Sequence, residues 1–339
     1  MKPALAISMG DPAGIGPEIT LKALTHMELY DICLPVVIGD FEAIDAANRF
    51  SNTGLAINEI PDLTRAIGKP GTVDLINPGY LNKGDWNCGE ISELCGKASF
   101  EYIRRGIELA LSNQVQGVVT GPISKEAINR AGYKYSGHTE IFAEMTKTKE
   151  YGMLLISGNL RTIHVTTHFS LRKACELITK ERVLSAIRLA DMAIKALGIH
   201  HPRIAVSGLN PHAGENGLFG DEEIYSIKPA VDIAVAEGID AVGPLPPDTV
   251  FVKAMNGMYD VVVAMYHDQG HIPLKLSGFR LGADAASVSG VNCTVGLPII
   301  RSSVDHGTAF DIAGKGIAHE GSMVDAINIG VVMAIAKFG

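Results

Sequence analysis

Charge is scarce in this chain. Its 339 residues carry Lys+Arg 29 and Asp+Glu 37, 19% charged in all, against the ~25% usual for globular proteins. The balance is acidic, with a formal net charge of −8, and no stretch is rich in Lys and Arg. That argues against general attraction to nucleic acid or anionic lipid, while permitting a local basic pocket for one phosphate. Long hydrophobic runs are missing too. Val118-Val119 and Val261-Val262-Val263 are typical, far below the ~18 residues of a membrane span, and the N-terminus reads as a strand rather than a signal peptide. Cysteine is sparse: Cys33, Cys88, Cys95, Cys175 and Cys293 are scattered, odd in number and form no CxxC pair. Neither a disulfide framework nor a thiolate zinc site is indicated, and we read them as buried reduced thiols. What is present is 47% apolar residues and, at ~150 residues per domain, length for about two domains. The expectation is a compact cytoplasmic enzyme or binding protein, with neither membrane nor nucleic acid as partner.

Apolar runs alternate with amphipathic stretches along the chain. Residues 3–9 predict a strand, 10–18 a glycine-rich turn with Pro17 at the start of a helix, and Ile19, Leu21 and Leu24 the apolar face of that helix. The same cadence returns at 35–40, 100–111, 118–120, 161–167, 180–197, 203–207, 225–236 and 259–265, which predicts a mostly parallel α/β sheet. The Gly-, Ala- and Ser-rich segment 277–290 is the candidate mobile loop. No linker composition, internal repeat or low-complexity tract divides the chain.

Three strand ends run into histidines: 163–167 into His168, 204–211 into His212 and 261–266 into His267. Ligands of open α/β sheets collect at the carboxyl ends of strands, so these imidazoles can converge although far apart in sequence. Three imidazoles suit a first-row divalent metal and leave positions open for a substrate oxygen, with Thr167, Asn210, Glu215, Asp268 and Gln269 as neighbouring orienters. Alternatively, each is a separate loop residue. His138 and Thr139 open a further helix, where backbone donors suit an anion and Thr is also an ordinary cap. Lys125, after Thr120-Gly121-Pro122, reads more readily as solvent-facing than as anion-facing. The turn 10–16 lacks the third glycine of the dinucleotide fingerprint and is balanced between structure and ligand contact. In 304–318, Gly307, Gly314 and Gly316 permit close backbone approach to a ligand, with His306, Asp311 and Lys315 as polar contacts. Asp248, after Pro246-Pro247, is an orienter or proton acceptor, or simply a turn residue.

The string 306–316 resembles the nicotinamide-cofactor loop of the isocitrate/isopropylmalate dehydrogenases, and Gly10-Asp11 with Gly14-Ile15-Gly16-Pro17-Glu18 resembles a lengthened form of their N-terminal loop. The middle of the chain is similar to the 4-hydroxythreonine-4-phosphate dehydrogenase family of pyridoxal-phosphate biosynthesis, with its D-threonate and D-erythronate 4-phosphate relatives. The matching stretches are 121–125, 137–140, 166–168, 208–215, 244–249, 264–270 and 303–309, in order along nearly the whole chain. The resemblance implies an isocitrate/isopropylmalate-dehydrogenase-like α/β fold, two lobes around a central cleft and not Rossmann. Residues 1–130 plus 300–339 would form the cofactor-side lobe, and 131–299 the metal, substrate and dimerisation lobe.

Carried over by position, the resemblance makes His168, His212 and His267 ligands of one divalent metal per site (zinc, cobalt, magnesium or manganese). His267 would come from across a homodimer interface. His138, Thr139, Lys275, Asn292 and Arg301 become substrate contacts, Asp248 and Lys275 the catalytic candidates, and Gly14, His306, Gly307, Asp311, Gly314 and Lys315 the cofactor contacts. NAD is the implied cofactor, with NADP left open. The implied reaction is oxidation of a phosphorylated β-hydroxy acid followed by decarboxylation. The chain departs from the family pattern in an added segment, 282–289, carrying Asp284, and in His271 at a position more often apolar. Two other functions stay open: an aromatic cis-dihydrodiol carboxylate dehydrogenase on the same scaffold, and a non-catalytic metabolite-binding homologue.

Overall fold

Uninterrupted apolar strands build both parts of the molecule. The computed structural model describes residues 2–281, 286–288 and 290–339. The chain divides into one unit of 1–149, 283–291 and 297–339 and another of 150–282 and 292–296. The division thus falls at 149/150 rather than at 130/131. Helix His138–Met145, with Ile141 and Phe142 fully buried, packs on Glu93–Leu111 and so belongs with the first unit.

In the first unit the strand order is Ala56–Glu59, Thr72–Ile76, Leu34–Ile38, Ala4–Ser8, Gly117–Thr120 and Arg301–Val304, every pair parallel. Ala4–Ser8 and Gly117–Thr120 are buried throughout, which is why their sequences run apolar without alternating, whereas Arg301–Val304 is equally buried but polar in Arg301, Ser302 and Ser303. Helix Glu93–Leu111 starts where Ser92 Oγ accepts the Cys95 N–H at 3.4 Å, and Gly106 lets it ride close over Val118. Helix Gly321–Phe338 has the length and apolar composition of a membrane span, at a mean hydropathy of 1.4. It buries Met323, Ala326, Ile327 and Gly330, and the Ala326 carbonyl accepts from Ser302 Oγ at 2.7 Å, so its apolar character is that of a core helix.

In the second unit Gly152–Ser157 and Leu160–His164 form an antiparallel pair. Val261–Ala264, Ile204–Ser207 and Ala241–Leu245 continue from Leu160–His164 in parallel. Leu155, Leu160, Ala205, Val262 and Leu274 lie in its core. Because Leu160–His164, Val261–Ala264 and Ile204–Ser207 are parallel neighbours, their carboxyl ends share one edge, and His168, His267 and His212 follow those ends directly.

Several elements differ from expectation. Helix His267–Gly278 extends into the anticipated 277–290 loop, and Phe279–Leu281 and Ala286–Val288 are short strands; Asp284 lies outside the described residues. Helices Phe41–Ser51 and Pro247–Met255 were not anticipated. All five cysteines are free, but Cys88 and Cys175 are only half-buried.

Candidate functional site

His168 is exposed and His267 half-buried, with ring centroids 6.0 Å apart. They line a cavity of about 270 Å³ together with Thr167, Phe169, Tyr266 and Asp268. Two imidazoles bonded to one ion at ~2.1 Å with octahedral or tetrahedral angles keep their ring centres about 4.5–5.5 Å apart, so the pair within one copy stands somewhat wider than a shared cation requires. Asp268 Oδ1 stands 2.6 Å from His267 Nδ1, where it fixes the tautomer and leaves Nε2 for coordination. Buried Gln269 accepts from the Met265 N–H at 2.6 Å and donates to the Gly208 carbonyl at 2.8 Å, tying together the loops that carry His267 and His212.

His212 itself is exposed, on a left-handed turn. Residues 212–216 have φ of 54, 57, 79, 45 and 55°, and only Gly214 among them is glycine. At ~1–2 kcal/mol per non-glycine residue, His212, Ala213, Glu215 and Asn216 together cost about 4–8 kcal/mol, which the surroundings must offset. His212 Nδ1 lies 3.4 Å from Glu215 Oε2. Among the described residues no three His, Cys, Asp or Glu side chains gather to hold a metal, so one copy of the chain does not make the expected convergence of His168, His212 and His267.

Two histidines that sequence reasoning left out of the site lie against this pair. His271 stacks on His267, centroids 3.6 Å apart and planes 10° apart, and its Nδ1 is 3.0 Å from the His267 carbonyl. His164 is buried with its ring 4.8 Å from His271; burial first, then the neighbouring rings of His271 and His267, push its pKa down to about 3. Gly270 is required here, because a Cβ would lie 2.3 Å from His164 Nε2. The available signals were a polar residue inside an apolar strand for His164, and the one-turn spacing from His267 for His271. Lys275 is half-buried further along the same helix, Asn292 half-buried in Val291–Val295, and Asp248 exposed in the first turn of Pro247–Met255.

The first unit places a cation at the end of its sheet. Arg301 is 2% exposed, its Nη2 donates to Thr120 Oγ1 at 3.0 Å, and its guanidinium lies 5.7 Å from the centre of the Phe142 ring. His138 begins the helix His138–Met145, with Thr139 half-buried beside it. Burial, then the charges of Arg301 and Lys125, hold the His138 pKa well below the ordinary value, so its ring is neutral; its buried Nε2 has no hydrogen-bond partner among the described residues. Lys125 is exposed, as read from sequence, and its charge still adds to the field at His138.

In the loop 306–316, His306 is half-buried, Asp311 and Lys315 are exposed, and His306 Nδ1 is 3.0 Å from the Gly307 carbonyl. Three of the glycines are also required by packing within the chain. A Cβ at Gly14 would lie 2.9 Å from Thr308, one at Gly314 2.9 Å from Cys88, and one at Gly316 2.4 Å from the Phe50 carbonyl. The chain itself demands those three, and Gly307 alone faces open space. The loop's far end is pinned by Lys22, which donates to the Gly316 and Ala318 carbonyls at 2.9 and 2.7 Å, and by buried Glu18, which accepts the Ala318 N–H at 2.8 Å. Asp11, in the facing turn, is fully buried, and burial raises its pKa to about 6 against the hydrogen bonds from the Ala13 and Ser124 backbone.

The sequence pattern of the pyridoxal phosphate biosynthetic protein PdxA matches residues 31–330. The D-threonate 4-phosphate dehydrogenase of Pectobacterium atrosepticum is 45% identical over 99% of this chain and 100% of its own. The crystal structure of 4-hydroxythreonine-4-phosphate dehydrogenase from Klebsiella pneumoniae superposes with a TM-score of 0.87 at 44% identity, covering 98% of each chain. That of terephthalate 1,2-cis-dihydrodiol dehydrogenase from Burkholderia xenovorans LB400 gives 0.68 at 32% identity, covering 97% of this chain and 98% of its own. On the sequence pattern and the full-length likeness together, this chain belongs to the PdxA family.

Proposed function

We propose that the protein oxidises the secondary alcohol of a phosphorylated β-hydroxy acid (D-threonate, D-erythronate or 4-hydroxythreonine 4-phosphate), using NAD and a divalent cation, and that the resulting β-keto acid loses carbon dioxide. The observation that carries the reading is buried Arg301 set beside Thr120 and a neutral His138. A permanent cation with a planar fork, shielded from water, suits the phosphate ester or carboxylate of an anionic substrate. The full-length likeness to the Pectobacterium enzyme supports the choice of substrate.

The chain's own groups divide the work. Arg301 and Thr120 receive one anionic end, and His138, kept neutral, hydrogen-bonds through Nε2 without adding charge. Thr139, Lys275 and Asn292 complete the substrate contacts, and Asp248 and Lys275 are the candidate proton-transfer groups. His168, His212 and His267 offer the nitrogen donors, each following the carboxyl end of a parallel strand. We assign the site to a homodimer in which His168 and His212 of one copy meet His267 supplied across the interface by the other, so the 6.0 Å pair within one copy is not the ligand pair. A divalent cation, when bound, polarises the alcohol oxygen and stabilises the enolate formed as carbon dioxide leaves. The open face at Gly307, with exposed Asp311 and Lys315, would hold the dinucleotide, which would supply the hydride acceptor. The isocitrate-dehydrogenase-like, non-Rossmann assignment and a cytoplasmic location belong to the same proposal.

A cis-dihydrodiol dehydrogenase is the second reading, favoured by likeness to the Burkholderia xenovorans enzyme. A panel of the three phosphorylated acids and a dihydrodiol, followed by NADH absorbance with and without chelator, separates them. NADH formed from a phosphorylated acid, lost on chelation and restored by added cation, is the expected result. Turnover of the dihydrodiol alone selects the second reading, and no NADH from any compound overturns both.

A further inference from the structure

The left-handed turn that carries His212 is wrapped around a buried carboxylate. We propose that Glu223 is the positioning residue for His212: its carboxylate holds 209–217 in that turn and so sets where the imidazole stands. The inference rests on His212 as a cation ligand, as proposed above.

Glu223 is 3% exposed. Its Oε1 accepts the backbone N–H groups of Leu209 and Asn210 at 2.7 and 2.8 Å, and its Oε2 accepts from Asn210 Nδ2 at 2.9 Å. Three N–H donors on one buried carboxylate are charge-assisted bonds in a dry site, roughly twice as strong as neutral ones. Asn210 is doubly held, because the same Nδ2 also donates to Glu222 Oε2 at 2.7 Å. The chain then closes over the carboxylate through two glycines. A Cβ at Gly208 would lie 3.1 Å from Glu223 Oε1, and one at Gly214, where φ is +79°, only 2.8 Å from Oε2. The side of the turn facing Glu223 is therefore built to fit an acid.

Glu223 stands on firm ground. It begins the π-helical turn Glu223–Ile227, whose Ile227 is fully buried and which leads directly into helix Lys228–Ala236. The turn Pro211–Gly217 is a 3-10 element with its own short-range backbone bonds. At its two ends the Ala213 N–H reaches the Asn210 carbonyl at 3.1 Å, the Leu218 N–H that of Glu215 at 3.3 Å and the Phe219 N–H that of Gly214 at 3.2 Å; none of these ties it to the rest of the unit, as Glu223 does. Gln269 fixes Gly208 from another side but does not reach beyond it. Left-handed backbone at non-glycine positions persists only when its surroundings over-determine it. Here Glu223 is the group that does so, and the residue carried at the crest is His212.

The test compares wild type with E223A, E223Q, H212A and V183A, the last removing a buried side chain elsewhere in the same unit. Binding of Co²⁺ and of Zn²⁺ alone is measured by titration calorimetry on the full-length protein, alongside thermal melting and a crystal structure of E223A. E223A is expected to weaken cation binding at least tenfold and to release 212–216 from positive φ. E223Q, which keeps an acceptor oxygen, should recover part of the affinity. V183A should bind as wild type even where its melting loss equals that of E223A, which separates positioning from general destabilisation. Wild-type affinity in E223A, or an unchanged turn in its crystal structure, overturns the proposal. If H212A binds the cation as wild type does, the ligand assignment fails instead, and the E223A structure still decides whether Glu223 holds the turn.

Discussion

In the first unit most of the groups singled out for function are buried and crowded: Arg301 and Asp11 are nearly or wholly inaccessible, and the turn at 10–16 meets the loop 306–316 at Gly14, where a methyl group would strike Thr308. In the second unit the candidate ligands stand out from the sheet edge, His168 and His212 exposed, with the cost moved into the backbone of 212–216. The first arrangement secures a fixed charge in a dry place, which an anion needs. The second leaves imidazole nitrogens accessible to an ion and to a second copy of the chain, at the expense of local strain. The contrast teaches that preorganisation can be stored in side-chain burial or in dihedral angles, and the two should fail differently when disturbed.

The largest expected effect probes burial in the first unit. Asp11 has a native pKa of about 6 against an ordinary 3.8, because burial disfavours its charged form. The native state therefore holds this proton more tightly than the unfolded chain does. That contribution is fully present below about pH 4 and lost as pH rises through 6. The shift of about two units corresponds to about 3 kcal/mol. D11N lacks the titration, so its stability relative to wild type should rise by about that amount from pH 4 to pH 7, read from urea midpoints at each pH. A pH-independent difference between the two proteins would mean that the turn at 10–16 is wet, and the contrast between the units would lose its first half.

Next in size is the charge itself. R301A removes a charged partner worth about 1.5–3 kcal/mol, so the KM for a phosphorylated acid should rise roughly 10- to 150-fold, with a much smaller change for NAD. R301K keeps the charge but loses the fork and should fall between. Equal losses for substrate and NAD would make Arg301 a residue of the fold, held between Thr120 and Phe142, rather than a residue of the site.

What could be read from the sequence follows the same division. Strands such as Val261–Ala264 and Gly117–Thr120 are legible because both faces are buried and the apolar run is unbroken. The strand-end positions of His168, His212 and His267 were legible for the same reason. Helix Gly321–Phe338 was not, because it is apolar over most of its surface and shows little periodicity. The left-handed turn at 212–216 is invisible locally, since one glycine in five residues does not predict it and the cause, Glu223, acts from outside the turn. The glycines at 14 and 314 are ambiguous for a related reason. Sequence shows that something approaches closely there, but not whether it is a ligand or the chain's own Thr308 and Cys88.

That ambiguity supplies the smallest and most discriminating prediction, a pair of alanine substitutions within one loop. Gly314 has φ of +77°, and a Cβ there would meet Cys88 Cβ at 2.9 Å and Sγ at 3.1 Å, so G314A should cost about 1–3 kcal/mol through left-handed strain and overpacking. Gly307 has nothing within 4 Å of the same added atom, and G307A should stay within about 0.5 kcal/mol of wild type. The order should invert for cofactor binding. A methyl group at the open position intrudes where a dinucleotide would lie, so G307A should raise the KM for NAD with melting unchanged, whereas G314A should lower the melting temperature and affect NAD only in proportion to the loss of fold. Should G307A leave NAD binding untouched, the open face of the loop is solvent, and the crowded glycines are the whole reason for its composition.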